Sequence, residues 1–142
     1  MRLSTRTEYG IQAMLDLAEH DGLGPVQSHD IAERKDIPEP YLNQLLTLLR
    51  KGGMITSRRG PGGGHTLARP AAEITLDELV LALEGNIWSV EDLSGEPGRR
   101  VRSTGLRDVW KEVDEAARAV LARVTLAEIV EREHEQVYTY HI

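Results

Sequence analysis

Between Pro40 and Ala72 the chain contains no Asp or Glu, yet it carries Arg50, Lys51, Arg58, Arg59 and Arg69. Over its 142 residues the formal net charge is −6, so this segregation does not follow from composition. Inside the window Leu42, Leu45, Leu46 and Leu49 recur at the helical period, and Gly52-Gly53 closes that helix. Met54 to Arg59 and His65 to Ala68 then predict two short strands around Gly60-Pro61-Gly62-Gly63-Gly64. A helix feeding a tight hairpin, both cationic and neither carrying an acid, suits two adjacent surfaces of one polyanion. A duplex groove with its flanking phosphates has that form.

The rest of the chain predicts a mainly α fold with a small β wing. Thr5 and Glu8 have capping-box spacing and open a first helix, with Ile11, Met14, Leu15 and Ala18 on one face. Asp21-Gly22-Leu23-Gly24-Pro25 ends it, and Ser28 caps a second helix to about Lys35 that buries Ile31 and Ala32. Asp36-Ile37-Pro38 turns into the leucine-striped third helix, where Pro40 falls in the first turn and is tolerated there. Two short helices joined so closely read as helix-turn-helix. Thr75 and Glu78 repeat the capping-box spacing, followed by Leu76, Leu79, Val80 and Leu83 up to Gly85. Asn86 to Ser103 reads as loop. A long helix from Ser103 or Thr104 to about Val124 carries Leu106, Val109, Trp110, Val113, Ala117, Val120, Leu121 and Val124. One small domain does not readily cover so long an apolar stripe, so two copies are expected to pack on it across a two-fold axis. Thr125 and Glu128 open a short final helix, and no internal repeat is evident. The expected division is 1–85 winged helix-turn-helix, 86–103 loop, 104–134 dimerisation helix and short helix, and 135–142 tail.

Several function classes are excluded. Cysteine is absent, which removes disulfides, thiol redox sensing and thiolate-held iron–sulfur clusters from this chain. No apolar run approaches the roughly eighteen residues of a membrane span. The polar start Met1-Arg2-Leu3-Ser4-Thr5-Arg6 is not a secretory leader, so a cytoplasmic location is expected. His20, His29, His65, His134 and His141 are scattered without zinc-like pairing, and no metal or cofactor is expected. No nucleophile–base pair or cofactor fingerprint argues for an enzyme, and Glu112, Asp114 and Glu115 read as a solvated helix face. The glycine run is no phosphate-binding loop: it lacks the lysine, and Pro70 follows His65-Thr66 too closely for a helix to begin. Residues 1–70 hold nine Lys+Arg against eight Asp+Glu, whereas residues 71–142 hold eight against fifteen. The first half can meet a nucleic acid; the second is repelled by one.

The outward side of the third helix offers Tyr41, Asn43, Gln44, Thr47, Leu48 and Lys51. Asn and Gln can pair bidentately with adenine in a major groove, while Arg50 and Lys51 suit phosphates. In the wing, Arg58 and Arg59 suit the negative potential of a narrow minor groove, and the glycines allow close backbone approach. The bland alternatives are a solvated helix face and a flexible charged hairpin.

These residues resemble the IscR/NsrR/CymR family, also called the Rrf-two family. The resemblance is carried by Met1-Arg2-Leu3-Ser4, Tyr9-Gly10, Tyr41-Leu42, Gln44-Leu45-Leu46, Leu49-Arg50, Gly53 and Ser57-Arg58-Arg59-Gly60-Pro61-Gly62-Gly63-Gly64. It continues through Ile74-Thr75-Leu76 and Ala82-Leu83-Glu84-Gly85 to Trp110 and Val124-Thr125-Leu126. The resemblance implies a dimeric winged-helix transcription regulator, usually a repressor, on a partly palindromic double-stranded DNA operator. It assigns base contacts to Asn43 and Arg59, and backbone contacts to Tyr41, Gln44, Arg50, Ser57, Gly60, Gly62, Gly63 and Gly64. Pro40 and Asn43 sit where members vary, and His65 replaces the usual wing aromatic.

Cluster-binding members place three cysteines and a further ligand before the long helix. The matching positions here are Asp92, Gly98, Thr104 and Arg107, none of which supplies a thiolate. The end, Glu135-Gln136 followed by Tyr138-Thr139-Tyr140-His141-Ile142, resembles the cluster-free branch of cysteine-metabolism repressors. That resemblance implies cysteine synthase as a partner. As an extended tail, Tyr138, Tyr140 and Ile142 would share one apolar face; the alternative is a tail packed on its own dimer helix. A further reading from another class is a winged helix that docks on an enzyme without DNA.

Overall fold

The computed structural model describes residues 3–85 and 104–140. Helix α1 spans Thr5–Glu19, α2 Ser28–Lys35 and α3 Glu39–Lys51. Strands β1 (Ile55–Arg58) and β2 (Gly64–Leu67) pair antiparallel, with Ile55 opposite Leu67 and Arg58 opposite Gly64. A single 3-10 turn, Ala71–Glu73, precedes α4 (Leu76–Glu84); α5 (Thr104–Arg123) and α6 (Leu126–Tyr140) complete the described chain. The fold is mainly α with a two-stranded wing, as the sequence predicts.

The leucine spacing of α3 is also its burial pattern: Leu42, Leu45, Leu46 and Leu49 face a core shared with Met14 and Leu17 of α1, Ile31 of α2 and Leu79 and Leu83 of α4. At Asp36 the chain takes a left-handed conformation (φ 52°), which ends α2 and turns the backbone into α3. Pro40 lies in the first turn of α3, where its missing N–H costs nothing.

Three sequence expectations at helix ends need correction. The Thr5–Glu8 box is not formed; Ser4 is the N-cap of α1, its side chain accepting from the Thr7 amide at 3.3 Å. The reach-back carboxylate comes from the far end of α4, where Glu84 Oε1 accepts the Ser4 amide at 2.9 Å, the Thr7 hydroxyl at 2.7 Å and the Ser4 hydroxyl. Those donors hold the Glu84 carboxyl below its ordinary value, Ser4 foremost. Ser28 does not cap α2 but is its first residue, after an N-cap Gln27 whose side chain makes no capping bond. At the C-terminus, α6 is not short: it runs through Tyr138 to Tyr140, residues expected in an extended tail. Ile142 and the loop 86–103 lie outside the described residues.

The Thr75–Glu78 capping box is formed in both directions. Thr125 begins α6 in the same way, accepting the Glu128 amide at 3.2 Å. The two threonines pair across an antiparallel bridge: the Leu76 amide donates to the Val124 carbonyl and the Leu126 amide to the Ile74 carbonyl, each at 2.8 Å. Their flanking sequences, Ile74-Thr75-Leu76-Asp77-Glu78-Leu79-Val80 and Val124-Thr125-Leu126-Ala127-Glu128-Ile129-Val130, are a short repeat that the sequence reading overlooks. The bridge fastens α6 to the helix-turn-helix core, with Leu126 fully buried.

Candidate nucleic-acid interface

On α3, Asn43, Gln44, Arg50 and Lys51 are exposed, whereas Thr47 and Leu48 are half-buried. Thr47 Oγ1 donates to the Asn43 carbonyl at 2.9 Å, so its proton stays within the helix. Tyr41 is half-buried too, its ring edge-on to Tyr9 with centroids 5.8 Å apart, which makes it as much a packing residue as a surface one.

The wing turns through Gly60-Pro61-Gly62-Gly63, closed by the Gly63 amide donating to the Gly60 carbonyl at 2.9 Å. Pro at the second position and Gly62 at φ 77° in the third are the residues a type II turn requires. Gly64 is demanded by packing: its φ is 146°, and a Cβ there would stand 2.6 Å from the Val26 carbonyl oxygen. Gly63 is buried, while Gly60 and Gly62 are exposed. The glycines thus divide between building the hairpin and baring its tip.

Side chains alternate across the wing. Thr56 and Thr66 are hydrogen-bonded at 2.8 Å on one face, and Thr56, Ser57, Arg58, Gly64 and Thr66 line a hollow with Pro25. Ser57 and His65 pair on the other face, Ser57 Oγ to His65 Nδ1 at 2.7 Å. His65 Nε2 is 3.0 Å from Ser28 Oγ, and burial, followed by the charge of Arg50, holds its imidazole below the ordinary histidine value. Gln27 Nε2 donates to the Gly63 carbonyl at 2.7 Å, and Val26 bridges His65 through two backbone bonds. The first turn of α2 and the base of the wing are therefore one braced unit. Ser28 and Gln27 are what the sequence reading missed; no local signal marks them, because their partners lie 36 or 37 residues away.

The cations separate into two groups. Arg50, Lys51, Arg58 and Arg59 are exposed and form no salt bridge among the described residues. Arg69 is otherwise employed: its Nη2 donates to Glu78 Oε2 at 2.7 Å, and its Nη1 lies within reach of the Glu73 carbonyl. That bond holds the Glu78 carboxyl below its ordinary value and ties the end of the wing to the capping box of α4.

The long-helix stripe also divides. Leu106, Val109, Trp110, Val113 and Val120 are 36–50% exposed. Ala117 and Leu121 instead line a small hollow with Val80 and Leu81 of α4, and Val124 gives its carbonyl to Leu76.

A recognition helix and a braced cationic wing, both drawn from a sequence window without acids, define a winged helix-turn-helix DNA-binding transcription regulator. Residues 3–132 match the profile described as "Rrf2: Iron-dependent Transcriptional regulator". The chain belongs to the Rrf2 family. It is 37% identical over 131 residues to the HTH-type transcriptional regulator IscR of Serratia proteamaculans (strain 568), covering 92% of this chain and 79% of that protein. IscR of Photorhabdus laumondii is 37% identical over 134 residues with the same coverage. Among solved structures, CymR, the global cysteine regulator of B. subtilis, superposes with a TM-score of 0.76 at 30% identity, over 93% of this chain and 98% of that one. IscR of T. potens gives 0.77 at 36% identity, over 96% and 90%. These relatives are regulators of transcription, and this chain is not an enzyme.

The family description names iron, and the residues here do not fit a thiolate-held centre. The chain has no cysteine, and among the described residues no group of three or more His, Asp or Glu is placed to hold a metal ion. Of the four positions matched to the family's cluster ligands, Arg107 is an exposed cation on α5; Asp92, Gly98 and the Thr104 side chain lie outside the described residues. No helix among the described residues is long and apolar enough to cross a membrane.

Proposed function

We propose that the protein is a homodimeric repressor that reads its operator through Asn43 and Arg59 and grips the backbone through Tyr41, Gln44, Arg50, Lys51, Ser57 and Arg58. The exposed cations at the end of α3 and on the wing, which form no salt bridge among the described residues, carry this reading. Lys and Arg on a recognition helix supply phosphate contacts and the free polar side chains supply base contacts. The bare apolar residues of α5 support a two-fold partner there, which would set the spacing of two reading heads.

The genes controlled are those of cysteine or sulfur metabolism, and the signal arrives through a protein partner rather than a bound cluster. A chain without cysteine supports the second statement, and likeness to CymR supports the first. Cysteine synthase is the proposed partner, engaged through Tyr138, Tyr140 and Ile142. Because α6 runs to Tyr140, docking as an extended segment needs its last turn to unwind. Mapping bound sites across the genome tests the whole reading: sites beside sulfur-assimilation genes support it, and sites confined to unrelated genes refute it. Removing residues 138–142 is expected to abolish cysteine synthase binding with DNA affinity intact; retained enzyme binding would eliminate the docking step.

A further inference from the structure

His65 stands within β2, half-buried between two hydroxyls: Ser57 Oγ lies 2.7 Å from its Nδ1 and Ser28 Oγ lies 3.0 Å from its Nε2. Ser57 is exposed on the neighbouring strand, and Ser28 opens α2. The three side chains form a line from the first turn of the helix-turn-helix to the wing surface. We propose that this line is a proton-linked relay in which a DNA phosphate docking at Ser57 draws one proton from solvent onto the His65 imidazole, freeing the Ser57 hydroxyl to donate to that phosphate. The proposal rests on the wing meeting duplex DNA.

Counting donors gives the reason. A neutral imidazole has one N–H and one acceptor nitrogen. The relay requires the neutral tautomer that accepts at Nδ1, in which the Ser57 proton points inward and only lone pairs face an arriving phosphate; an Nδ1–H ring would leave Ser57 free to donate with no proton taken up. Imidazolium donates from both nitrogens, so Ser57 and Ser28 accept from the ring and turn their own protons away from it. A hydroxyl accepts as readily as it donates, so neither state strands a partner.

The charges around the ring set the direction. Burial, followed by the charge of Arg50 from α3, disfavours the ring's protonated form in the free protein. From α2 comes Ser28, followed by exposed His29 and Asp30, which pair with each other at 3.3 Å. From β1 comes Ser57, with Arg58 on the opposite face of the wing; Gln27 is engaged by the Gly63 carbonyl. A phosphate set against Arg50 and Ser57 supplies the negative charge that imidazolium needs.

The test is binding of a duplex that the protein has itself selected from a randomised pool. Anisotropy between about pH 8 and pH 6 is expected to show several-fold tighter binding as pH falls, with about tenfold per unit of midpoint rise as the limit approached below both midpoints. Calorimetry in two buffers of different ionisation enthalpy is expected to show proton uptake that disappears in His65→Gln, which cannot titrate. Should that variant misfold, the NMR titration of the His65 ring in the wild-type protein decides the matter, its midpoint rising when DNA is bound. Affinity independent of pH, equal proton uptake in wild type and His65→Gln, or an unmoved midpoint overturns the relay and leaves DNA recognition standing. Failure to bind any duplex at any pH overturns both.

Discussion

Glu84 illustrates how one side chain explains two distant sequence blocks, Met1-Arg2-Leu3-Ser4 and Ala82-Leu83-Glu84-Gly85. Its carboxylate is the acceptor that Ser4 and Thr7 share, and Thr7 is fully buried. Glu84→Ala leaves those donors without a charged partner and is expected to cost about 1–3 kcal/mol, measured by urea denaturation. Because the folded carboxyl titrates below its unfolded value of 4.5, its contribution is complete above that pH. It fades as pH falls through the lower folded value. A stability difference between wild type and Glu84→Ala that persists undiminished in strong acid would contradict this assignment. At the DNA surface, Arg59→Ala is expected to cost about 1–3 kcal/mol on selected duplex and less on random sequence. Equal losses on the two would remove Arg59 from base reading.

At the scale of elements, Arg69 and Lys51 belong to one acid-free sequence window yet to different structures. Lys51 ends α3 exposed, whereas Arg69 is bound to Glu78 beside the α4 capping box. Lys51→Ala should weaken all duplexes similarly and lower the salt slope by about one. Arg69→Ala should lower stability by up to about 1 kcal/mol, as a half-exposed pair warrants, and leave the salt slope unchanged. A flattened slope for Arg69→Ala would return it to the interface. The same contrast shows what a sequence discloses. Periodic burial was legible, since Leu42, Leu45, Leu46 and Leu49 need only the helical period, and so was the Thr75–Glu78 box, whose partners are three residues apart. Ser4 with Glu84, Ser28 with His65 and Arg69 with Glu78 were not, because a polar side chain carries no sign of which distant group will claim it. The tail was misread for another reason. Alternating Tyr138, Thr139, Tyr140 and His141 has strand periodicity, but Glu131 to Gln136 are mostly good helix formers, and an established helix propagates at little cost.

For the whole molecule, the proposed function gives the acidic half and the cationic face complementary parts: the first is repelled by the duplex and the second is drawn to it. The exposed apolar residues of α5 belong to this scale, because the proposed function sets a second copy against them. Val113→Asp is expected to give monomers by sedimentation and to weaken binding to a two-half-site duplex about 100-fold, as linkage of the two heads is lost. An unaltered dimer would place the interface elsewhere. The central claim is that four exposed cations, on α3 and the wing, grip duplex DNA. It is tested by the slope of log affinity against log salt for the wild type and for a variant with Arg50, Lys51, Arg58 and Arg59 all changed to Ala. The account predicts that the slope flattens by about one for every cation that held a phosphate; an unchanged slope, in a variant that remains folded, would contradict it.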